Sequence, residues 1–231
     1  MFTFPTRTVA LLSATALTAL AATGCGSDDQ TSTTSTAAKA SSTTASAAEV
    51  DKAFVAQMVP HHEMAIEMAA LAPQRGERTE IKELGNAIAV SQAPEVKQLQ
   101  QAAKRLGVQV ASTPTAEKAG GMDHSQHGGD TGMAAAAKTL GIPMDDMGMS
   151  MNMDALTTAD PFDRAFIDEM IPHHQGAILM ARAEMTKGSD PELKKIARAI
   201  ITAQTEEIEQ MNSWRKQWYG SESPAGGVPT T

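Results

Sequence analysis

The sequence predicts an all-α protein: a four-helix bundle assembled from two duplicated helical hairpins. Three observations predict it. One phrase occurs twice. Asp51-Lys52-Ala53-Phe54-Val55-Ala56-Gln57-Met58-Val59-Pro60-His61-His62 returns as Asp163-Arg164-Ala165-Phe166-Ile167-Asp168-Glu169-Met170-Ile171-Pro172-His173-His174. The offset is 112 residues and runs without a gap from Asp51/Asp163 to Lys104/Lys216. Within both copies the apolar residues recur about every 3.6 positions, which lines one face of a helix. The composition agrees: aromatics are only 3%, whereas Ala and Met are abundant. Such residues suit helices, and a β-sandwich would need more β-branched and aromatic side chains.

Charge and cysteine usage narrow the function classes. Nineteen basic against 27 acidic residues give a net charge of −8, with no basic stripe. Binding to the nucleic-acid backbone is therefore not expected. The single cysteine, Cys25, allows no internal disulfide and leaves the folded part without a thiolate ligand or nucleophile.

Residues 1–24 read as an export signal. Arg7 precedes an apolar run from Val9 to Ala22 that holds no acidic residue and is too short for a permanent span. The run ends Ala22-Thr23-Gly24-Cys25, which resembles a bacterial lipobox. Lipidation of Cys25 would anchor the protein to the outer face of the cell membrane or in the periplasm; cleavage without lipidation is the alternative. Residues 25–49 are a Ser/Thr/Ala tether that lacks the apolar surface to offset chain entropy.

The first hairpin is expected over 50–107. Its first helix, 50–73, places Phe54, Met58, His61, Ala65, Met68 and Ala72 on one face, with His62 on the shoulder. Pro60 interrupts it, so the helix either kinks or restarts just before the histidines. A polar turn leads to a second helix from about Glu80 to Leu106, with Ile81, Leu84, Ile88, Leu99 and Leu106 along a stripe. Gln92 and Glu95 sit in the middle of that apolar seam, where an unpaired carboxylate is costly. Pro94 is expected to bend this helix.

Residues 108–160 read as a flexible Met/His-rich linker. It carries Met122, His124 and His127 among glycines, then Met144, Met147, Met149, Met151 and Met153, with too few other apolar residues to form core. The second hairpin spans 161–219. Asp160-Pro161 signals a helix start, and Phe166, Met170, His173, Ala177 and Met180 share its inner face. Asp190-Pro191 opens the last helix, whose seam again holds Gln204 and Glu207. Residues 220–231 read as a flexible, frayed tail.

These residues form a recognisable donor set. Each copy supplies Met58, His61, His62 and Met68, or Met170, His173, His174 and Met180. Gln92, Glu95, Gln204 and Glu207 face them from the partner helices, where a carboxylate would accept the second ring N–H of a ligating histidine and fix its tautomer. Thioether favours Cu(I) strongly and Zn or Fe poorly, so Met and His without Cys point to copper, with silver as its mimic and zinc less favoured. Two or three donors satisfy Cu(I), so one copy would hold one ion. The linker Met and His residues are candidate capture ligands, and a transfer partner protein is conceivable. Against this stands the possibility that the carboxylates simply satisfy core histidines, leaving a metal-free module that binds a protein partner. A ferritin-type redox enzyme would need inward Glu-x-x-His motifs, which no helix here carries.

The Met-[Val/Ile]-Pro-His-His-x-x-Ala-Ile segments, Phe54 to Ala69 and Phe166 to Ala181, resemble the family known as domain of unknown function 305. Ile200-x-x-x-Gln204-x-x-Glu207-Ile208-x-x-Met211 resembles its second helix. The resemblance covers most of 51–107 and 144–218. It implies a ferritin-like four-helix bundle, export, and, as in CopM-type members, copper binding through Met and His. The matching positions are Met58, His61, His62, Met170, His173 and His174. The first copy departs from the pattern at Met64, where the second has Gly176, and at Pro94.

Overall fold

A computed structural model describes residues 45–110 and 129–230. Cys25, Met122, His124 and His127 lie outside the described residues. Four long helices carry the fold: α1 Ala47–Arg75, α2 Thr79–Leu106, α5 Phe162–Lys187 and α6 Pro191–Tyr219. Between α2 and α5 lie α3 Gly129–Leu140, a 3-10 turn Met144–Met147 and the short α4 Met153–Thr158. No helix among the described residues is long and apolar enough to cross a membrane.

Local chemistry sets the helix ends. Ser46 and Glu49 form a reciprocal capping box at the start of α1. Asp190 caps α6 by accepting from the Glu192 and Leu193 amides, with Pro191 in the first turn. Pro60, Pro94 and Pro172 all lie inside continuous helices, so the restart expected at Pro60 does not occur. An interior proline costs ~3 kcal/mol of helix stability. Packing of α1 against both α2 and α5 offsets that cost.

The hairpins α1/α2 and α5/α6 join mainly through α1 against α5. Two apolar clusters fill the bundle. One combines Phe54, Met58 and Leu99 of the first hairpin with Met180, Ala181 and Ile200 of the second. The other combines Met68, Ala72 and Ile88 with Phe166, Met170 and Ile208. The first half of α1 thus packs on the second half of α5, and the reverse, so these helices run antiparallel. They cross where the histidines lie.

Two aspartates at equivalent positions lock the hairpins to each other. Asp163 at the start of α5 accepts from the Glu77 and Arg78 amides in the α1–α2 turn, at 2.8 and 3.0 Å, and from the Arg78 guanidinium at 3.1 Å. Asp51 in α1 accepts from the Ser189 amide and hydroxyl and the Asp190 amide in the α5–α6 turn, at 2.8, 2.7 and 3.2 Å. Burial would raise the Asp51 pKa, but these donors outweigh it and hold the carboxyl below its ordinary range.

Two expectations need correcting. The described part of the Met-rich segment is not a loose linker. Met147 is fully buried, and Leu140 and Ile142 join it in the core. The space exists because residue 176 is glycine: a Cβ there would overlap the Met147 carbonyl. The tail also does not fray. Gln175 donates to the Ala225 and Gly227 carbonyls, Arg182 to Pro229 and Asn212 to Gly226. Val228 packs on the second apolar cluster. Side-chain amides and a guanidinium on α5 and α6 thus satisfy the backbone of a segment whose composition carries no packing signal.

Candidate metal centre

Four imidazoles meet at the crossing of α1 and α5, and all are withdrawn from solvent: His61, His62 and His174 are 0% exposed and His173 is 1%. Helical spacing explains the placement. His61 and His173 follow Met58 and Met170 by about one turn on the inner face, while each second histidine turns towards the partner helix of its own hairpin. The His61 and His173 rings stack, with centroids 3.7 Å apart and planes within 11°. His61 and His62 are 6.3 Å apart, tilted by 53°.

The four differ in what their nitrogens do. His62 Nε2 lies 2.9 Å from Glu95 Oε2, and His174 Nε2 lies 2.6 Å from Glu207 Oε2. Donation of Nε2–H to these carboxylates leaves Nδ1 of each ring as a lone pair, and both Nδ1 atoms are buried without a hydrogen-bond partner. Glu95 and Glu207 are 19% and 17% exposed, so each links a buried ring to the surface.

Neither nitrogen of His61 makes a well-aligned hydrogen bond, although the Met147 backbone lies near enough to favour the protonated form. Burial, followed by the nearby His173, pushes its pKa well below the ordinary value, so it is a neutral imidazole. His173 is the opposite case. Its Nδ1 lies 2.6 Å from the Gly148 carbonyl and its Nε2 3.0 Å from the His61 carbonyl. Burial lowers its pKa to about 3, even though both carbonyl contacts favour the protonated form. A neutral ring has one N–H, so it can donate to only one of these two carbonyls. The other nitrogen keeps its lone pair facing a carbonyl oxygen, so both ring nitrogens of His173, which the sequence placed among the ligands, lie against backbone carbonyls here.

The seam amides complete the picture. Gln92 is 3% exposed with neither its nitrogen nor its oxygen partnered, and Gln204 Oε1 is likewise buried and unpartnered. Stranded polar atoms of this kind cost ~1–3 kcal/mol each unless something binds them.

Met58, Met68, Met170 and Met180 are all 0% exposed. They do not group by copy. Met58 shares a cluster with Met180, and Met68 shares the other with Met170. The cause is the antiparallel crossing: a residue before His61 lies beside residues after His173. Each apolar cluster beside the histidines therefore holds methionine from both hairpins. Among the described residues, no group of three or more His, Cys, Asp or Glu side chains is placed to hold an ion by itself. The arrangement suits an ion content with two or three donors, thioether included, rather than one needing a carboxylate-rich shell.

In the Met-rich segment, Met144 and Met149 pack half-buried on the cluster of Met58 and Met180, whereas Met151 and Met153 pack half-buried on the cluster of Met68 and Met170. Sequence reasoning did not single out Gly148, whose carbonyl reaches His173, or the purpose of Gly176. The available signal was the exchange of Met64 for Gly176 between copies.

The family model described as Domain of unknown function (DUF305) matches residues 51–215, and the chain belongs to that family. CopM, solved in its Cu(I)-bound form, is 33% identical to this chain, which it matches over 74% of its length and 98% of CopM, with a TM-score of 0.55. CopM is also known in Cu(II)-bound and Ag-bound forms. A DUF305 protein of Streptomyces coelicolor, described as secreted, shares the fold with a TM-score of 0.60 at 20% identity, over 77% of this chain and 98% of that one. A curated relative, uncharacterized protein L153 of Acanthamoeba polyphaga mimivirus, is 41% identical over 51 residues. That match spans 22% of this chain and about a third of L153, 34% of its length.

Proposed function

We propose that this chain carries two tandem copies of the family motif and is an exported, lipid-anchored copper-binding protein. It holds the ion at the crossing of α1 and α5, favours Cu(I), and buffers the metal or passes it on. The observation that carries this proposal is the pair of buried Nδ1 lone pairs on His62 and His174, each oriented by a carboxylate on Nε2 and left without a partner. An orienting carboxylate raises the basicity of a ligating imidazole. His61, Gln92 and Gln204 add unpartnered buried atoms at the same level, and four buried methionines supply soft sulfur nearby. Neutral nitrogen and thioether add no negative charge, which suits a monovalent soft ion in a dry site. The similarity to CopM supports the choice of metal, and the resemblance to a lipobox at Cys25 supports the anchor.

One observation favours a second function, a metal-free bundle that binds a protein partner: the bonds to Glu95 and Glu207 already satisfy one nitrogen of His62 and of His174. Equilibrium dialysis of the mature chain against Cu(I), Cu(II), Ag(I) and Zn(II) separates the two. Copper and silver uptake that falls at least tenfold in the His62→Gln/His174→Gln variant, with its helix content intact, supports the metal centre. Uptake by the native chain no greater than by a helical control protein would favour the metal-free bundle. Loss of membrane association in Cys25→Ser tests the anchor.

A further inference from the structure

All four imidazoles are buried, so an ion bound among them must first cross a protein surface. On the second hairpin that surface is the Met-rich segment. After the 3-10 turn, residues 149–152 run as irregular chain into α4, with Met149, Met151 and Met153 half-buried and Ser150 and Asn152 exposed. The half-buried thioethers pack on the apolar clusters of the helices. Between Met149 and Met151 the segment passes from one apolar cluster to the other. It therefore spans the histidine level that separates them, with Gly148 bonded to His173. Two glycines hold it there. Gly176 gives room for the Met147 carbonyl, and Gly148, at φ 70°, lies against the Pro172 and His173 carbonyls. On α1 the position equivalent to Gly176 is Met64.

We propose that Met149 and Met151 form a relay for soft monovalent cations, delivering the ion from solvent to the imidazoles beneath. This rests on the metal-binding function proposed above and adds the route. A half-exposed thioether meets the need for a donor that is reachable from water and adjacent to the buried centre. The transfer is ligand exchange alone: the ion sheds water as a sulfur lone pair binds it, and an imidazole nitrogen then replaces sulfur. No electron changes hands. The competing route runs past the part-exposed carboxylates Glu95 and Glu207.

The test uses the mature chain and Ag(I), which does not cycle its oxidation state under these conditions. Stopped flow follows transfer of Ag(I) from a chromophoric chelator to the native protein and to Met149→Leu/Met151→Leu. Leucine keeps the volume, so thermal unfolding should be nearly unchanged. The relay predicts uptake slowed at least fivefold in the variant, with the Ag(I) stoichiometry unchanged. An unchanged rate overturns the relay while leaving the metal centre standing. Slowing in Glu95→Gln/Glu207→Gln, without slowing in the leucine variant, assigns the route to the carboxylates and also overturns it. Absence of Ag(I) uptake by the native chain overturns the metal-binding function itself, and the relay with it.

Discussion

Asp51 and Asp163 occupy the same place in the two copies and do the same job by different means. Asp163 meets a guanidinium as well as two amides, and the first-copy residue equivalent to Glu184 is Ala72. Asp51 meets only amides and a hydroxyl, and beside it lies Glu184, 0% exposed and pushed up to about 8 by burial and then by the charge of Asp51. One latch includes a part-buried ion pair; beside the other, burial and the Asp51 charge hold the Glu184 carboxyl towards its protonated form. The second hairpin is also covered on the outside, by the Met-rich segment and by the tail, whereas Glu63 and Gln100 bond to each other at the place where Gln175 holds the tail. The His62–Glu95 and His174–Glu207 pairs match across the centre, whereas His61 and His173 and the surrounding shell differ.

The largest way to break this comparison is at the latches. Asp163→Ala strands two turn amides and the Arg78 charge and should cost about 3 kcal/mol, whereas Asp51→Ala should cost about 2 kcal/mol because it strands amides and a hydroxyl but no charge. Urea unfolding measures both, and equal losses would show the latches to be energetically alike. The covering segment comes next. Gly176→Ala forces a methyl into the Met147 carbonyl and should cost about 2 kcal/mol, while Met64→Ala, at the equivalent and half-buried position of α1, should cost well under half as much. Comparable losses would remove the asymmetry of the shell.

The Glu184 carboxyl gives a smaller effect with a definite sign. Glu184 has an ordinary value of 4.5 and a folded value of about 8, so the folded state holds the extra proton between them. Its stabilising contribution is fully present below pH 4.5 and is lost as pH rises through 8. Asp51, Asp190 and Lys194 face this group, and of these only Lys194 opposes the rise. The melting temperature should therefore fall by a few degrees between pH 5 and 9, and Glu184→Gln should flatten that slope. A slope that survives in the variant would place the titration elsewhere. The smallest effect belongs to the tail. Ending the chain at Gly220 removes the bonds from Gln175, Arg182 and Asn212 and should cost about 1 kcal/mol, with hydrogen exchange rising in α5 and α6 but not in α1 and α2.

Much of the molecule was legible in the residues. The inward stripe of Phe54, Met58, His61, Ala65 and Met68 fixed one face of α1, and its repetition fixed α5, because helical period alone selects which side chains share a face. The Gln-x-x-Glu steps in α2 and α6 announced polar groups opposite the histidines. The grouping of the methionines was not legible. Periodicity along one helix says nothing about which neighbour lies across it, and the antiparallel crossing pairs Met58 with Met180 rather than with Met68. The burial of Met147 and the docking of the tail were hidden for a related reason, since glycine, serine and proline lack the apolar period that marks a packed segment.

By itself the sequence determined four long helices in two repeated hairpins, the inward placement of paired histidines and methionines, and the acidic, nearly cysteine-free chemistry around them. These follow from local periodicity and residue type, which each segment carries within itself. Only the tertiary structure decided which imidazole nitrogens stay free, that His173 is engaged by two carbonyls, and that different parts of the intervening segment cover the two hairpins. Those outcomes depend on the backbones and side chains that residues far apart in the chain bring to one another.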